Sequence, residues 1–215
     1  MIKAVLFDVD GVLLDSEEIH YEVESKALRK FGIPATKAMA RQYTGSRLDI
    51  EFTGIAKRFN KTISFKEVIK ERDKLLKKAL TKGFPKAPFV KEVLSDLSKK
   101  YLLAFATMGD ERFVGEEIKT SKLQQYFRVS IFGEDVSNPK PDPEVFLKAA
   151  KLLGVEPKEC IVVEDSATGI KAGKNAGMLV IARKASHNQS ADFSLADYVI
   201  EDLRDIPKII SHVTN

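Results

Sequence analysis

Two aspartates stand directly behind the first apolar run of the chain. Asp8 and Asp10 are separated by one residue, and they follow Ala4–Phe7. Side chains two residues apart in an extended chain point the same way. A carboxylate can attack phosphorus as a covalent nucleophile, and a second one beside it can protonate the leaving oxygen and later activate water. The pair is therefore a candidate for phosphoryl transfer through an aspartyl-phosphate.

Polar residues also end or follow three later apolar runs, and these residues are Thr107, Lys140, Glu164 and Asp165. Ligands of parallel α/β sheets bind beyond the carboxyl ends of the strands, so we expect these side chains to converge with the aspartate pair. A lysine and a hydroxyl group there would hold the oxygens of a transferring phosphoryl group and neutralise their charge.

The carboxylates of this set also indicate a metal ion. Four carboxylates in one site repel one another strongly unless a cation lies among them. Oxygen-only ligands favour a hard ion, and Mg²⁺ first. The sequence therefore predicts Mg²⁺ as the cofactor, with four candidate ligands, which are Asp8, Asp10, Glu164 and Asp165.

The elements that must position these residues alternate along the chain. Five apolar runs are typical of buried strands, and these are Ala4–Phe7, Leu102–Thr107, Val129–Phe132, Cys160–Val163 and Leu179–Ala182. From residue 88 onward they alternate with segments of helical spacing, which predicts right-handed βαβ units. A final strand is expected at Tyr198–Ile200 and a final helix at Ile206–Val213. The predicted fold class is α/β, with a Rossmann-like, doubly wound and mostly parallel sheet.

A helical insertion separates the first predicted strand from the second. Its first helix is indicated by apolar residues that recur every four positions, which are Ile19, Val23, Ala27 and Phe31. Asp15 with Glu18 resembles a capping box at the start of this helix. Two more segments, Leu48–Phe59 and Phe65–Leu80, have the same period. The predicted domains are an α/β core of residues 1–15 and 84–215 and an all-helical cap of residues 16–83.

Composition excludes several classes of protein. The chain has 215 residues, of which 44% are hydrophobic and 31% charged, which indicates a globular fold. No apolar run approaches the roughly 18–20 residues that span a bilayer, and no secretory signal is visible. We therefore expect a cytoplasmic protein with no membrane partner. The single cysteine, Cys160, excludes an intramolecular disulfide and is expected to be a buried, inert thiol.

The basic excess of the chain is local. The net charge is +4, but residues Lys57 to Lys91 contain twelve Lys and Arg against three Asp and Glu, a balance of +9. This pattern favours a solvated helical face, and the alternative is a basic surface that attracts phosphorylated substrates. The lysines are not interleaved with stacking aromatic residues, so no nucleic-acid partner is expected.

Four motifs of the chain resemble those of the haloacid dehalogenase-like (HAD) superfamily in order and spacing. They are FDVDGVLLDS, Thr107 after an apolar strand, KPDP and VVEDSATGIKAGKNAGM, and they span residues 3–182. The chain looks most like the subgroup with a helical cap after the first strand, which includes sugar-phosphate phosphatases, phosphoglycolate phosphatases and β-phosphoglucomutases. The resemblance implies an enzyme that hydrolyses a small phosphorylated metabolite, with a sugar phosphate favoured.

The resemblance also implies a role for each motif residue. Asp8 would be the nucleophile and a Mg²⁺ ligand, and Asp10 the general acid and base with its backbone carbonyl on the metal. Thr107 would hold the transferring phosphoryl group, and Lys140 would bridge Asp8 and the phosphate. Asp165 would anchor the metal directly or through water.

Further residues are candidates for binding the substrate, and these are His20, Gly45, Ser46, Arg47, Met108 and Gly109, in addition to Thr107 and Lys140. His20 could face the cleft near Asp10, or it could satisfy local hydrogen bonds at the junction of core and cap. The loop that ends in Arg47 could bind the non-transferring part of the substrate, or it could be an interhelical turn. Met108 stands where many relatives have Ser or Asn, and Gly109 leaves backbone amides free to hold phosphate at the next helix.

Three functions stay open at this point. A phosphatase is favoured, a hexose phosphomutase of the β-phosphoglucomutase kind is the alternative, and a non-catalytic binder of phosphorylated ligands is the third. Met108 disfavours the phosphomutase, and the presence of all four motifs disfavours the binder. The expected partner is a small phosphorylated metabolite, and the chain is expected to be a monomer or a weak homo-oligomer.

Overall fold

A parallel β-sheet lies at the centre of the protein. Its strands are β1 (Ala4–Phe7), β2 (Leu102–Ala106), β3 (Val129–Ile131), β4 (Cys160–Glu164), β5 (Leu179–Arg183) and β6 (Tyr198–Ile200). The computed structural model describes residues 1–44, 46–81 and 83–214, and within them these six strands form one sheet in the order β3-β2-β1-β4-β5-β6. All neighbouring strands run parallel. The predicted α/β, doubly wound fold class is therefore confirmed.

Helices cover both faces of the sheet, which explains why its central strands are apolar up to the carboxyl edge, where Glu164 ends β4. The covering helices are α5 (Val90–Leu97), α6 (Glu111–Thr120), α7 (Glu144–Leu153), α8 (Ala167–Asn175) and α9 (Ile206–Thr214). Val5 and Phe7 of β1 pack in one core cluster with α5, α6 and α9. Ala4 and Leu6 point to the opposite face and pack with α7 and α8.

In the described part of the chain, four of the five helices between β1 and β2 form a separate layer. They are α1 (Glu17–Lys30), α2 (Lys37–Arg41), α3 (Leu48–Lys57) and α4 (Phe65–Leu80). Their own hydrophobic cluster includes Leu28, Phe52 and Val68. A smaller cluster at the junction joins α1 and α4 to the core through Phe84 and Phe113. We call α1–α4 the cap, and we propose residues 16–83 as the limits of this domain.

The start of α1 differs from the prediction. The helix begins at Glu17, the residue before it makes no capping hydrogen bond, and the predicted capping box of Asp15 and Glu18 is wrong. Asp15 accepts a hydrogen bond from Arg183 Nη1 at 2.7 Å. Glu18 pairs with the two basic side chains of α2. Both carboxylates therefore have charged side-chain partners instead of capping contacts.

The lysines of α4 lie on its outer face. The lysines of this helix, Lys66, Lys70, Lys74, Lys77 and Lys78, are all exposed. Val68 and Leu76 are buried on the opposite face. This arrangement favours the solvated helical face over a surface built to attract substrate.

Two further expectations concern the cysteine and the membrane. Cys160 is buried at the start of β4, and burial raises the pKa of its thiol to about 11, which agrees with an inert thiol. In the part of the chain that the structure describes, no helix has both the length and the apolar character to cross a bilayer.

Candidate active site

The carboxyl ends of three neighbouring strands bring most of the predicted polar residues together. Asp8 follows β1, Thr107 follows β2, and Glu164 ends β4. Lys140 reaches this edge from the loop between β3 and α7. Its Nζ donates hydrogen bonds to Asp8 Oδ1 at 2.5 Å and to Glu164 Oε1 at 2.7 Å. All four side chains are buried, so the sheet edge carries a buried chain of acid, lysine and acid beside a hydroxyl group.

The carboxylate of Glu164 is held by the start of α8. Its Oε2 accepts hydrogen bonds from the N–H groups of Asp165 and Ser166 and from the Ser166 hydroxyl, at 2.7, 2.8 and 2.9 Å. Gly169 packs so closely that a Cβ there would lie 1.7 Å from Glu164 Oε1. These contacts make Glu164 a support for Lys140, and its role as a metal ligand stays a prediction.

Asp8 and Asp165 lie in an environment rich in negative charge. Burial raises the pKa of Asp8 well above its usual range, Lys140 lowers it by less, and Glu164 and Asp165 raise it further. Burial also raises the pKa of Asp165. Gly11 has a φ of +73°, and a Cβ there would lie 2.1 Å from Asp165 Oδ2, so only glycine fits. This set of crowded oxygen donors fits a hard cation such as Mg²⁺.

A different group of potential ligands surrounds Asp10. Among the described residues, the side chains that converge within 4.8 Å are those of Asp10, His20 and Glu117, rather than the four predicted carboxylates. Two members of the predicted set, Asp8 and Glu164, are bridged by Lys140.

Asp10 and His20 form a partly buried ion pair. His20 Nε2 lies 3.1 Å from Asp10 Oδ1, and the Ser16 hydroxyl donates to the same oxygen. Burial alone would lower the pKa of His20, but Asp10 and Glu117 raise it to about 9. Burial likewise raises the pKa of Asp10, but His20 and Ser16 lower it by more, so that it falls below its usual value. The pair therefore holds one proton beside the cleft at neutral pH.

A cleft of about 740 Å³ lies between the sheet edge and the cap. Small-molecule sites typically have volumes of about 300–1,000 Å³. Of the predicted cap-loop residues, Ser46 and Arg47 line the cleft, and Gly45 lies outside the described residues. Arg47 forms a two-bond ion pair with Asp49, at 3.0 and 3.1 Å. The predicted cap loop therefore reaches the cleft, and the guanidinium group of Arg47 is already paired with Asp49.

The loop after β2 forms another wall of the cleft through Met108 and Gly109. The Gly109 N–H donates to Thr107 Oγ1 at 3.0 Å. Asp110 caps α6 by accepting from the Arg112 N–H at 2.9 Å. A protein carboxylate therefore already occupies the helix start where the sequence suggested that phosphate could bind.

The motifs match a known protein family. A family model described as haloacid dehalogenase-like hydrolase matches residues 5–183. The chain belongs to this family. The predicted enzyme class, a HAD-type hydrolase of phosphoric monoesters, is confirmed by this membership and by relatives that are named phosphatases.

Two HAD relatives and one solved structure illustrate the similarity. The phosphorylated carbohydrates phosphatase of Thermotoga maritima is 34% identical over 181 residues, which cover 82% of each chain. The validoxylamine A 7'-phosphate phosphatase of Streptomyces hygroscopicus subsp. limoneus is 30% identical over 210 residues, which cover 96% of each chain. The crystal structure of a β-phosphoglucomutase from Clostridium difficile covers 100% of both chains, with a TM-score of 0.86 and 23% identity. The last similarity shows a shared fold.

Two residues that contact Asp165 in this HAD-family site were not predicted from the sequence. His187 Nε2 lies 2.6 Å from Asp165 Oδ2, and Asn188 Nδ2 donates to the backbone carbonyl of Asp165 at 2.9 Å. Both lie in the turn that follows β5, the neighbour of β4 in the sheet. Ligand sites of parallel sheets lie at the carboxyl ends of the strands, so the turn after β5 could be expected near the site. No sequence motif in the turn identifies His187 or Asn188 as site residues.

Proposed function

We propose that this HAD-family chain is a Mg²⁺-dependent phosphatase that hydrolyses the phosphomonoester of a small carbohydrate through an aspartyl-phosphate at Asp8. The observation that carries the proposal is the buried contact of Asp8 with Lys140, at 2.5 Å, beside the Asp10–His20 pair and at one side of the cleft. The two named phosphatase relatives, one of which acts on phosphorylated carbohydrates, support the substrate class.

The first step would transfer the phosphoryl group to Asp8. A carboxylate oxygen of Asp8 forms the bond to phosphorus while the bond to the ester oxygen breaks. Lys140 holds the Asp8 carboxylate in place, and the Thr107 hydroxyl donates a hydrogen bond to the transferring group. The leaving oxygen takes its proton from the Asp10–His20 pair.

The second step would release phosphate and restore Asp8. The Asp10–His20 pair takes a proton from water, the hydroxide attacks phosphorus, and the bond from Asp8 to phosphorus breaks. Asp8, Asp165 and the backbone carbonyl of Asp10 would hold Mg²⁺, which supplies positive charge to the oxygens of the transferring group when bound. The cap closes the other side of the cleft and limits the access of bulk water.

A phosphate-release screen tests the proposed function. The substrates are sugar phosphates, phosphoglycolate, nucleoside monophosphates and an aryl phosphate, each assayed with Mg²⁺ and with EDTA. We expect release that depends on Mg²⁺ and prefers carbohydrate phosphates. If no phosphomonoester in the set loses phosphate, the proposal is wrong.

The phosphomutase alternative differs only in the group that accepts the phosphoryl group from Asp8. The β-phosphoglucomutase comparison supports the fold alone, and Met108 has no side-chain donor to offer a second sugar. Interconversion of glucose 1-phosphate and glucose 6-phosphate without net phosphate release would favour the phosphomutase. The third alternative, a non-catalytic binder, is disfavoured because Asp8 and Lys140 are in contact and Asp10 has a proton-holding partner.

We expect His187→Ala to weaken metal binding more than it slows the chemistry. His187 contacts Asp165, and removing such an outer contact typically costs about 10–100-fold in metal affinity. The Mg²⁺ concentration for half-maximal phosphate release should rise about tenfold or more, with a smaller change in kcat at saturating Mg²⁺. His212→Ala, in the exposed end of α9, is the control. A Mg²⁺ dependence equal to that of the control would exclude this positioning role.

We expect the Asp10–His20 pair to make folding stability depend on pH. The folded-state pKa of His20, about 9, lies above the value of about 6.5 for an unfolded histidine, so the stabilisation is complete below about pH 6.5 and is lost as the pH rises through 9. The difference in unfolding free energy between wild type and His20→Asn should fall by on the order of 2–3 kcal/mol between about pH 6 and pH 10. Urea unfolding over this range measures it, and a constant difference would contradict the pairing.

A further inference from the structure

The cap turns a group of buried charged residues towards the cleft. Glu17 and Glu24 lie on α1, Glu51 on α3 and Arg72 on α4, and all four line the cleft. The exposed fractions of these residues are 8%, 5%, 4% and 7%. Glutamate and arginine are rarely buried to this extent unless they are paired. We call these four residues the cap wall. It sets three carboxylates against one guanidinium group.

The single cation of the cap wall is already shared. The Arg72 guanidinium lies 4.0 Å from Glu24 and 3.6 Å from Asp73. Its Nη2 also lies 3.4 Å from His20 Nδ1, and the group lies over the ring of Phe113. Little of its charge is therefore free for an anionic ligand.

Two buried atoms of the cap wall have no hydrogen-bond partner within the described residues. They are Glu51 Oε1 and Arg72 Nε. An unpaired buried polar group destabilises the fold, and such groups are rare in folded proteins. Glu51 Oε1 can accept a hydrogen bond, whereas the Arg72 Nε–H donates one. A hydroxyl group can do both, and both side chains line the cleft.

The cap wall is an unfavourable environment for another negative charge. Burial raises the pKa of Glu51 well above its usual range, and the nearby Glu24 raises it further. Burial raises the pKa of Glu17 in the same way, with added effects of Asp165 and Asp10. These raised pKa values show that burial and the crowding of carboxyl groups disfavour negative charge in this part of the cleft, and a further anion placed there would meet the same unfavourable environment.

We propose that the cap wall binds the leaving group of the substrate as an uncharged, hydroxyl-rich alcohol and rejects leaving groups that carry a carboxylate or a second phosphate. The inference rests on the proposed phosphatase function, which places the phosphoryl group at Asp8 and leaves the rest of the substrate facing the cap. Hydroxyl groups donate to the carboxylates and accept from Arg72. An anionic leaving group would face the carboxyl oxygens of three glutamates, and the cation beside them, Arg72, already shares its charge with Glu24.

Matched pairs of phosphomonoesters test this selectivity. Glucose 6-phosphate is compared with 6-phosphogluconate, and glycerol 3-phosphate with 3-phosphoglycerate, because the second member of each pair adds a carboxylate. For each compound kcat/KM is measured, and so is its inhibition constant against the hydrolysis of phenyl phosphate, so that compounds that are not hydrolysed also give a value. We expect the wild-type enzyme to favour the uncharged member by about tenfold or more.

The double variant Glu24→Gln/Glu51→Gln removes charge from the cap wall with little change in size. We expect the ratio between the uncharged and the anionic member to fall about fivefold or more, because Arg72 then shares its charge with Asp73 alone and more of it is available to a carboxylate. Glu17→Gln is a second variant for the case in which the double variant does not fold. Glu67→Gln, on the exposed face of α4, is the matched control.

The outcomes separate this inference from the proposed function. If the wild-type enzyme treats both members of each pair alike, or if the cap-wall variants change the ratio no more than Glu67→Gln does, the inference is wrong even though phenyl phosphate is hydrolysed. If the wild-type enzyme releases phosphate from no compound, the proposed function itself fails. Should no cap-wall variant fold, the wild-type ratio decides alone.

Discussion

Asp8→Asn is expected to lower kcat/KM for phosphate release by at least about 10³-fold while the protein stays folded. Asparagine keeps the shape of the side chain but lacks the charged oxygen that attacks phosphorus. Burial and the neighbouring carboxylates raise the pKa of Asp8 well above its usual range, so its charge is not what stabilises the fold. We therefore expect a melting temperature equal to or above that of the wild type, measured in EDTA.

Trapping the acyl phosphate distinguishes loss of the nucleophile from weaker binding of the substrate or metal. Acid quenching during turnover should leave a hydroxylamine-sensitive acyl phosphate on the wild-type chain and none on Asp8→Asn. The control is Asp96→Asn, which changes an exposed aspartate paired with Lys99 far from the cleft. Mg²⁺-dependent activity retained by Asp8→Asn would rule out the proposed mechanism.

The sheet and its polar edge could be predicted because both depend on local sequence. The predicted bounds of Ala4–Phe7 and Phe65–Leu80 agree with the structure at both ends, since each segment has an uninterrupted apolar run or helical period. Parallel strands end at one edge of a sheet, so residues that follow strands, such as Asp8, Thr107 and Glu164, meet there without any knowledge of tertiary contacts.

Contacts between distant segments could not be predicted in this way. His187 stands 22 residues after Asp165 in a short turn without a motif, and their contact depends on how the turn folds back over β4. Glu51 looks like an ordinary solvent-facing residue of an amphipathic helix, because isolated glutamates in helices normally face water. At Asp15 the sequence contains a local capping pattern that the structure does not use. Asp15 instead pairs with Arg183, which is 168 residues away in the chain.

Lys140→Met is expected to cause a large loss of both stability and activity. Lys140 is buried between Asp8 and Glu164, and although burial lowers its pKa, the two carboxylates raise it by more. Removing one partner of a buried ion pair leaves the others uncompensated, which typically costs about 3–5 kcal/mol. We expect a loss of this size in urea unfolding with EDTA present. Phosphate release should fall about 100-fold or more, because Asp8 and the phosphoryl oxygens lose the positive charge of Lys140.

The pH dependence and a double variant test whether charge causes this loss. Without Lys140 the pKa of Asp8 in the folded state rises further, so protonation stabilises the variant and the loss should be smaller at about pH 5 than at about pH 8. Adding Asp8→Asn should restore part of the lost stability, because one fewer buried charge lacks a partner. Lys208→Met, which breaks an exposed pair with Asp205, is the control and should change little. A loss that is equal at both pH values and is not reduced by Asp8→Asn would mean that lost packing, rather than the charge of Lys140, destabilises the variant.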